Sequence, residues 1–245
     1  MKNVCVIICA AGAGVRFGGR KKKPFVEVSG QAVFARSVGY FANRDDVKQI
    51  LVAIPAEDEE LIEIKYGATL NFMGAKLCLG GSERFETVSK ALELVGDDIE
   101  LVAVHDAVRC CLTDKWIDDV FAEAEKSGAA MLACPIVGTV KRVENGQIVA
   151  TVDRSGLFEA QTPQVFEKAL LAKAYKNLDN LDKSTISDDS QLVEALGEKV
   201  SVVETDHSNV KITRKADVAI AEAIIRSRPK PKPDGPVGPY AEAVW

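Results

Sequence analysis

The chain has 245 residues, a hydrophobic fraction of 47% and a formal net charge of −5. This composition excludes a disordered or fibrous protein and allows one large α/β domain, with or without an appendage. No apolar stretch approaches the ~18 residues of a membrane span, and the mild acidity gives no support for nucleic-acid binding. Because the N-terminus lacks the residue order of a signal peptide, the sequence predicts a cytoplasmic protein without a membrane partner.

The first predicted strand leads into a loop of small residues. The strand covers the continuously apolar run 4–9, which is typical of a parallel strand buried on both faces. The small residues and the cations that follow them are Ala10, Ala11, Gly12, Ala13, Gly14, Arg16, Arg20 and Lys23. Small residues let backbone N–H groups approach phosphate oxygens, and the cations would neutralise them. The segment predicts a triphosphate-binding loop, and a strand-to-helix turn with solvated lysines is the open alternative.

Two familiar phosphate-binding loops do not fit this segment. Phe17 stands where the dinucleotide fingerprint needs its third glycine, and Ile54-Pro55 stands where the ribose-binding acid would end the next strand. Gly18-Gly19-Arg20 does not supply the Gly-Lys-Ser/Thr of a Walker loop. The sequence therefore excludes both an NAD site and a P-loop.

Apolar, β-branched runs then alternate with amphipathic segments. The predicted strands are 47–54, 76–79, 101–105, 129–134, 157–161 and 200–203, and the predicted helices are 32–41, 58–65, 83–94, 113–127, 167–178, 188–195 and 215–226. This alternation predicts an α/β fold with a Rossmann-like, doubly wound, mostly parallel sheet. Ligands bind such sheets at the carboxyl ends of the strands. The loops after Cys9, Leu79, His105 and Pro135 should therefore converge on one crevice.

A hairpin and a tail interrupt this pattern. Asn145-Gly146 lies between two alternating runs, which predicts an inserted β-hairpin arm at about residues 138–155. The arm is either a surface ornament or a segment that pairs with another subunit, and spacing favours neither. From residue 228 the composition becomes rich in proline, so we predict a domain over 1–227 and an extended tail over 228–245. The six cysteines have no metal-ligand spacing and are predicted to be reduced thiols.

Seven ordered motifs resemble one family. They are Ala10-Ala11-Gly12-x-Gly14-x-Arg16 with Lys23, Gly80-Gly81-Ser82-Glu83-Arg84, His105-Asp106-Ala107-x-Arg109, Pro135-x-x-Gly138-Thr139-x-Lys141, Thr151-Val152-Asp153-Arg154-x-Gly156-Leu157, Gln161-Thr162-Pro163-Gln164 and Asn209-Val210-Lys211-Ile212-Thr213. Over residues 3–226 the chain resembles the 2-C-methyl-D-erythritol 4-phosphate cytidylyltransferases. The resemblance implies a nucleotide-diphospho-sugar transferase fold. It also implies transfer of CMP from CTP to a sugar-alcohol phosphate, with release of pyrophosphate and the assistance of Mg²⁺, in non-mevalonate isoprenoid biosynthesis.

The resemblance also assigns roles to residues. It implies that the catalytic residues are Arg16, Lys23, Arg154 and Lys211. Lys21 and Lys22 compete with Lys23 for its position, and counting from Gly14 and to Phe25 favours Lys23. It implies that the nucleotide is bound by Ala10, Ala11, Gly12, Ala13, Gly14, Gly81, Ser82 and Thr87. It implies that the acceptor substrate is bound by Asp106, Arg109, Thr139, Thr162 and Ser187. Asp106 is also the possible metal ligand, the other ligands being the phosphates of CTP. In the family, the arm residues Thr139 and Arg154 reach the neighbouring subunit's site, so the resemblance implies a homodimer through the arm.

Some residues depart from the family pattern or have a plainer reading. Gly138 and Ser82 replace aspartates, Ser187 replaces a threonine and Cys110 replaces a proline. His105, at the end of an apolar strand, is predicted to be structural. Ser82 could simply be the N-cap of a helix, and Ser187 could mark a helix start. The alternative functions are a ribitol-5-phosphate cytidylyltransferase and a catalytically silent nucleotide-binding module.

Overall fold

The computed structural model describes residues 2–12 and 25–229. The predicted site residues Ala13, Gly14, Arg16 and Lys23 lie outside the described residues, as do positions 230–245 of the predicted tail. No helix in the described ranges is long and apolar enough to cross a membrane.

A seven-stranded sheet forms the centre of the molecule. Its strands are β1 (Val4–Cys9), β4 (Val47–Ile54), β5 (Ala75–Leu79), β6 (Leu101–Asp106), β7 (Ala129–Pro135), β10 (Phe158–Glu167) and β11 (Ser201–Glu204). The order across the sheet is β11-β7-β10-β6-β1-β4-β5. β1 lies between β4 and β6 and is parallel to both, which explains its uninterrupted apolar sequence. The predicted mostly parallel sheet is confirmed.

One strand of the sheet, β10, runs antiparallel to both of its neighbours, β6 and β7. It extends to Glu167, whereas the sequence predicts a strand that ends at Gln161. The second half of this strand is not recognisable in the sequence. It contains the polar run Gln161-Thr162-Pro163-Gln164, and proline and buried amides are unusual in a central strand. In the fold these polar side chains are buried. Gln161, Thr162 and Gln164 form hydrogen bonds with buried polar groups of other segments.

Helices cover both faces of the sheet. They are α1 (Val33–Gly39), α2 (Glu59–Phe72), α3 (Arg84–Leu92), α4 (Asp114–Ser127), α5 (Lys168–Lys176), α6 (Asp189–Glu194) and α7 (Lys215–Ser227). One core cluster contains residues of α1, α2 and α4, and a second contains residues of α3, α5 and α6. α2 extends seven residues beyond its predicted end at Lys65. Its exposed face carries Leu61, Ile64 and Phe72, which obscures the amphipathic period in the sequence.

A third apolar cluster lies beside the main sheet. It joins a small hairpin, β2 (Glu27–Val28) and β3 (Gln31–Ala32), to α7 and to the buried pair Cys110-Cys111. Arg228, the residue after α7, donates to the backbone oxygens of Cys111 and Leu112. Its guanidinium lies 5.8 Å from the Trp116 ring centroid. The first residue of the predicted tail is thus tied to the domain. All six cysteines are free.

The predicted arm is present as a separate two-stranded sheet of β8 (Val140–Glu144) and β9 (Gln147–Val152). Asn145 and Gly146 form its turn with φ values of 49° and 79°. Positive φ at both central residues is the requirement of a type I′ hairpin turn, which explains the Asn-Gly sequence. The arm leaves Val143, Ile148 and Val149 more than half exposed. An isolated hairpin of this kind is marginally stable in water.

Candidate active site

The carboxyl ends of β1, β5 and β6 meet at one edge of the sheet. The amide of Ala107 donates to the carbonyl of Cys9 over 3.2 Å, which joins the chain after β6 to the end of β1. The amide of Gly80 donates to the carbonyl of Ile54 over 2.8 Å and joins the chain after β5 to β4. The predicted convergence of these loops is confirmed. The loop after Pro135 instead leads into the arm.

Asp106, the last residue of β6, is the centre of a cluster of charges. Its side chain is 9% exposed and contacts three cations. Arg84 Nε lies 3.3 Å from Oδ1, whereas Lys211 Nζ lies 2.6 Å and Arg109 Nε 4.0 Å from Oδ2. The fold therefore brings together Asp106, Arg109 and Lys211, three residues that the sequence predicts for the site.

The surrounding cations determine the charge of Asp106. Burial by itself would raise the pKa of this carboxyl, but Arg84, Lys211 and Arg109 outweigh it and hold the pKa well below its usual range. Asp106 is consequently ionised at neutral pH. The result is a buried, ionised carboxylate in contact with three cations, of which Arg84 also pairs with Asp189 and Arg109 with Glu159.

His105 and Thr162 form a chain of hydrogen bonds that holds the backbone of Asp106 in place. The amide of Asp106 donates to Thr162 Oγ1 over 3.1 Å, and the Thr162 hydroxyl donates to His105 Nδ1 over 2.9 Å. His105 Nε2 in turn donates to the carbonyl of Arg109 over 3.1 Å. One ring nitrogen of His105 accepts and the other donates, which requires a neutral imidazole. Burial lowers the pKa of His105 to about 4, so the ring is neutral at pH 7. The prediction that His105 is structural agrees with these contacts, whereas Thr162 supports Asp106 from its buried position.

Arg109 is fixed by backbone carbonyls as well as by acids. It donates to the carbonyls of Asn209 over 2.7 Å and Ala160 over 3.1 Å, and its Nη2 lies 3.5 Å from Glu159 Oε1. Asn209 is fully buried and donates to Gln161 Oε1 over 2.8 Å. These bonds attach the segment that carries Lys211 to β10. They explain why buried amides occur in this strand.

The glycine loop after β5 packs directly on the loop after β1. A Cβ at Gly80 would lie 2.4 Å from Ala11 Cβ, and one at Gly81 would lie 2.4 Å from Glu86 Cβ. The Thr87 hydroxyl accepts from the amide of Gly81 over 3.0 Å and donates to the carbonyl of Glu83 over 3.0 Å. The two loops predicted to bind the nucleotide are therefore in contact, and only glycine allows their approach.

The reading of Ser82 as a helix N-cap is wrong, because Glu83 is the N-cap of α3. Glu86 forms a capping box with Glu83, and its Oε2 also accepts from the amide and hydroxyl of Ser82 over 2.9 and 2.7 Å. Ser82 is exposed and belongs to the loop ahead of the helix. The position leaves it available for the predicted contact with a nucleotide.

A cavity of about 340 Å³ opens beside Lys211. Gln161, Asn209 and Thr213 line it together with Lys211. The Lys211 side chain is 40% exposed and so lies between this cavity and the buried carboxylate of Asp106. A cation with both a buried partner and solvent access can approach a second anion.

Among the described residues, three predicted site residues, Thr139, Arg154 and Ser187, form no hydrogen bond or ion pair with Asp106. Thr139 and Arg154 flank the arm and are exposed. Ser187 lies just before Asp188, the N-cap of α6, so the helix-start reading of this residue is correct. Together with Arg84 and Asp189 it lines a small cavity of about 40 Å³.

Sequence analysis does not reveal the roles of two residues near the site, Arg84 and Asp189. Arg84 belongs to a quoted motif, but its bridge between two acids is visible only in the fold: Nη1 lies 2.6 Å from Oδ2 of Asp189, which is fully buried. Tyr175 donates to the other oxygen of Asp189 over 2.5 Å. An acid at a helix start is ordinarily explained by the helix dipole, and that explanation conceals Asp189 in the sequence.

The described residues contain no group of three or more His, Cys, Asp or Glu side chains arranged to hold a metal ion. Mg²⁺ in nucleotide enzymes is commonly held by one or two carboxylates together with substrate phosphates. Asp106 fits this mode, since it is an ionised carboxylate at the carboxyl end of a central strand. The donor set is therefore compatible with a metal that arrives with a triphosphate.

Comparison with known proteins identifies one family. The family model described as IspD, 2-C-methyl-D-erythritol 4-phosphate cytidylyltransferase, matches residues 4–227. A relative of that name from Endomicrobium trichonymphae is 45% identical over 93% of this chain and 100% of its own length. Another from Bacillus mycoides is 38% identical over 92% of this chain and 99% of its own.

Solved structures agree in fold. The crystal structure of 2-C-methyl-D-erythritol 4-phosphate cytidylyltransferase from Thermus thermophilus superposes with a TM-score of 0.75 at 31% identity, covering 92% of this chain and 100% of that one. The 4-diphosphocytidyl-2C-methyl-D-erythritol synthase of Anaerococcus prevotii gives a TM-score of 0.78 at 27% identity, covering 92% and 96%. By the family model and by these relatives, the chain belongs to the 2-C-methyl-D-erythritol 4-phosphate cytidylyltransferase family.

Proposed function

We propose that this protein transfers CMP from CTP to 2-C-methyl-D-erythritol 4-phosphate, forming 4-diphosphocytidyl-2-C-methyl-D-erythritol and pyrophosphate in isoprenoid biosynthesis. The observation that carries the proposal is the Asp106 cluster, in which Arg84, Arg109 and Lys211 surround one buried carboxylate at the edge where ligands bind such sheets. Membership of the family supports the choice of reaction. We place the enzyme in the cytoplasm, as the sequence predicts.

The reaction joins two anions. An oxygen of the acceptor phosphate bonds to the α-phosphorus of CTP, the bond from that phosphorus to the bridging oxygen of the β-phosphate breaks, and pyrophosphate leaves with the electron pair. A phosphate monoester is already ionised at neutral pH, so no general base is needed. The protein's work is to position the reactants and to stabilise the charge that develops at the α-phosphate.

The residues divide this work by location. Lys211 has solvent access and would position the attacking phosphate, with Arg109 fixed beside it. Arg16 and Lys23, outside the described residues, are proposed to stabilise the α-phosphate. The contacting glycine loops would hold the nucleotide, and the small residues Gly81 and Ser82 favour a pyrimidine over a purine. Mg²⁺, when bound by Asp106 and the phosphates, would supply further positive charge.

Pyrophosphate release tests this function directly. We expect Mg²⁺-dependent release with CTP and methylerythritol phosphate, and little with the purine nucleotides ATP and GTP. Ribitol 5-phosphate should be the poorer acceptor. Faster turnover with ribitol 5-phosphate would refute the proposed acceptor, and comparable turnover with ATP would refute the proposed base specificity.

We also propose a homodimer in which each arm delivers Arg154 to the partner's site. The exposed apolar residues of the arm support this, since a hairpin with Val143, Ile148 and Val149 in water gains stability from a covering surface. The experiment mixes Lys23→Ala chains with Arg154→Ala chains. If arms act in trans, each heterodimer has one site with both residues intact and one site with both defects. Activity should therefore rise toward half the wild-type value per heterodimer.

Heterodimer formation must be confirmed by mass. If arms act in cis, every site in the heterodimer carries one lesion, and activity stays at the level of the parents. Absence of any rise in a confirmed heterodimer would reject the trans arrangement. A monomeric wild-type protein would reject the dimer itself.

A further inference from the structure

Arg84 occupies an unusual position between two buried acids. It is the first residue of α3, directly after the glycine loop, and its side chain is 26% exposed. Nε lies 3.3 Å from Asp106 Oδ1, and Nη1 lies 2.6 Å from Asp189 Oδ2. A guanidinium can serve two carboxylates at once because its donors form a planar fork, which an ammonium cannot imitate.

Asp189 is fixed independently of Arg84. Its amide donates to Gln164 Oε1 over 3.0 Å, and the amide of Ser190 donates to the same oxygen over 3.1 Å. Tyr175 donates to Asp189 Oδ1, and burial together with Asp189 raises the pKa of Tyr175 well above its usual range, so this hydroxyl remains a donor. Asp189 is consequently an immobile anchor. It sets the direction in which the Arg84 guanidinium faces Asp106.

The consequence appears at the two oxygens of Asp106. Oδ1 faces Arg84, and Oδ2 faces Lys211 and Arg109. If Arg84 were neutral, the whole charge of Asp106 would be compensated by Lys211 and Arg109. The ammonium of Lys211 would then be held more firmly by Asp106 and would be less available to an incoming phosphate.

We propose that Arg84 is a positioning residue that occupies one oxygen of Asp106 and thereby leaves Lys211 available to the acceptor phosphate. The inference rests on the proposed function. It goes beyond it by giving a role to the chain Tyr175–Asp189–Arg84–Asp106, which runs from α5 through α6 and α3 to the end of β6. Arg84 acts through Asp106 and Lys211, without contact to the reacting atoms.

The test separates the effect of the positive charge that Arg84 places beside Asp106 from the effect of packing α3 against α6. Arg84→Met alone leaves Asp189 buried without its cation and should destabilise the fold strongly. The informative pair is therefore Arg84→Met/Asp189→Asn and Arg84→Lys/Asp189→Asn, in which the buried acid is also neutralised. The two double variants differ at one side chain, which carries a charge beside Asp106 in only one of them. Urea unfolding measures their stability, and pyrophosphate release gives KM for each substrate.

We expect the Met/Asn variant to fold and to show a rise in KM for the acceptor phosphate of about ten- to a hundredfold, with KM for CTP changed much less. The Lys/Asn variant should recover most of this loss. Equal acceptor KM values in the two folded variants would overturn the proposal and leave Arg84 a structural residue. Failure of the wild-type enzyme to use CTP with a sugar-alcohol phosphate would instead refute the proposed function.

Arg44→Met is a matched control. Arg44 also bridges two acids, lying 2.8 Å from Asp46 and 2.6 Å from Asp118, and its side chain is 18% exposed. It precedes β4 at the amino end of the strand, away from the candidate site. This substitution should lower stability and leave both KM values unchanged. A rise in acceptor KM here as well would show that the kinetic effect reports general destabilisation, and it would overturn the specific role of Arg84.

Discussion

Replacing Gly80 by alanine tests whether the loops after β1 and β5 form one nucleotide site. The added Cβ would lie 2.4 Å from Ala11 Cβ and 3.0 Å from Thr87 Oγ1, whereas ordinary contacts are 3.4–4 Å. The Ala11 loop must therefore move by about 1 Å or more, a displacement of the size that can cost about a hundredfold in activity. Overpacking of this kind also costs about 1–3 kcal/mol of stability.

The assay is steady-state pyrophosphate release at varied CTP, with urea unfolding in parallel. We expect KM for CTP to rise by about ten- to a hundredfold in Gly80→Ala, since the loop that would hold the triphosphate is displaced. Gly39→Ala is the control, because a Cβ at the end of α1 meets nothing within 4 Å. It should leave kinetics unchanged and stability equal or slightly higher.

A second substitution makes the steric reasoning refutable. Ala11→Gly removes the methyl group that a Cβ at position 80 would strike, so Ala11→Gly/Gly80→Ala should recover much of the lost CTP affinity relative to the single variants. Recovery should be partial, because the Thr87 contact remains. Wild-type kinetics in Gly80→Ala, or a double variant no better than the sum of the single variants, would refute the proposed contact between the two loops.

Three further predictions concern charge, pH and the tail. Lys211→Ala should lower kcat/KM by about two to four orders of magnitude in the pyrophosphate assay while the urea midpoint changes little, because this side chain is 40% exposed. Burial lowers the pKa of His105 from 6.5 to about 4, so the unfolded state binds more protons between these values and stability falls as pH drops. From pH 6.5 to 5 this residue should cost about 1.5 kcal/mol in urea unfolding, and His105→Asn should show a smaller decrease. Removal of 229–245 should leave the melting temperature nearly unchanged, whereas removal of 228–245 should lower it by several degrees, since about 1–3 kcal/mol of stability is lost with the bonds from Arg228 to the carbonyls of Cys111 and Leu112. Equal melting temperatures for the two truncations would show that these bonds contribute nothing.

Local sequence patterns determined most of the sheet, the helices and the arm. The apolar run of β1, the alternation of strands and helices, and Asn145-Gly146 each depend on residues close together in the chain, and the fold contains the elements that they predict. The same holds for Asp106, because a carboxylate directly after a buried strand lies at the ligand-binding edge of a parallel sheet. Arg109, Thr162 and Lys211 were identified by the resemblance and indeed surround it.

Tertiary structure alone decided how these residues are paired. The bridge from Arg84 to Asp189 joins residues more than a hundred positions apart, and the contact of Gly80 with Ala11 joins two loops on neighbouring parts of the sheet. The direction of β10 and the burial of Gln161 and Gln164 are likewise products of neighbouring strands. A local pattern records which face of an element is apolar, but it does not record which distant group lies opposite a polar side chain. That choice is made when the elements pack, because a buried charge or amide is stable only where another part of the chain supplies its partner.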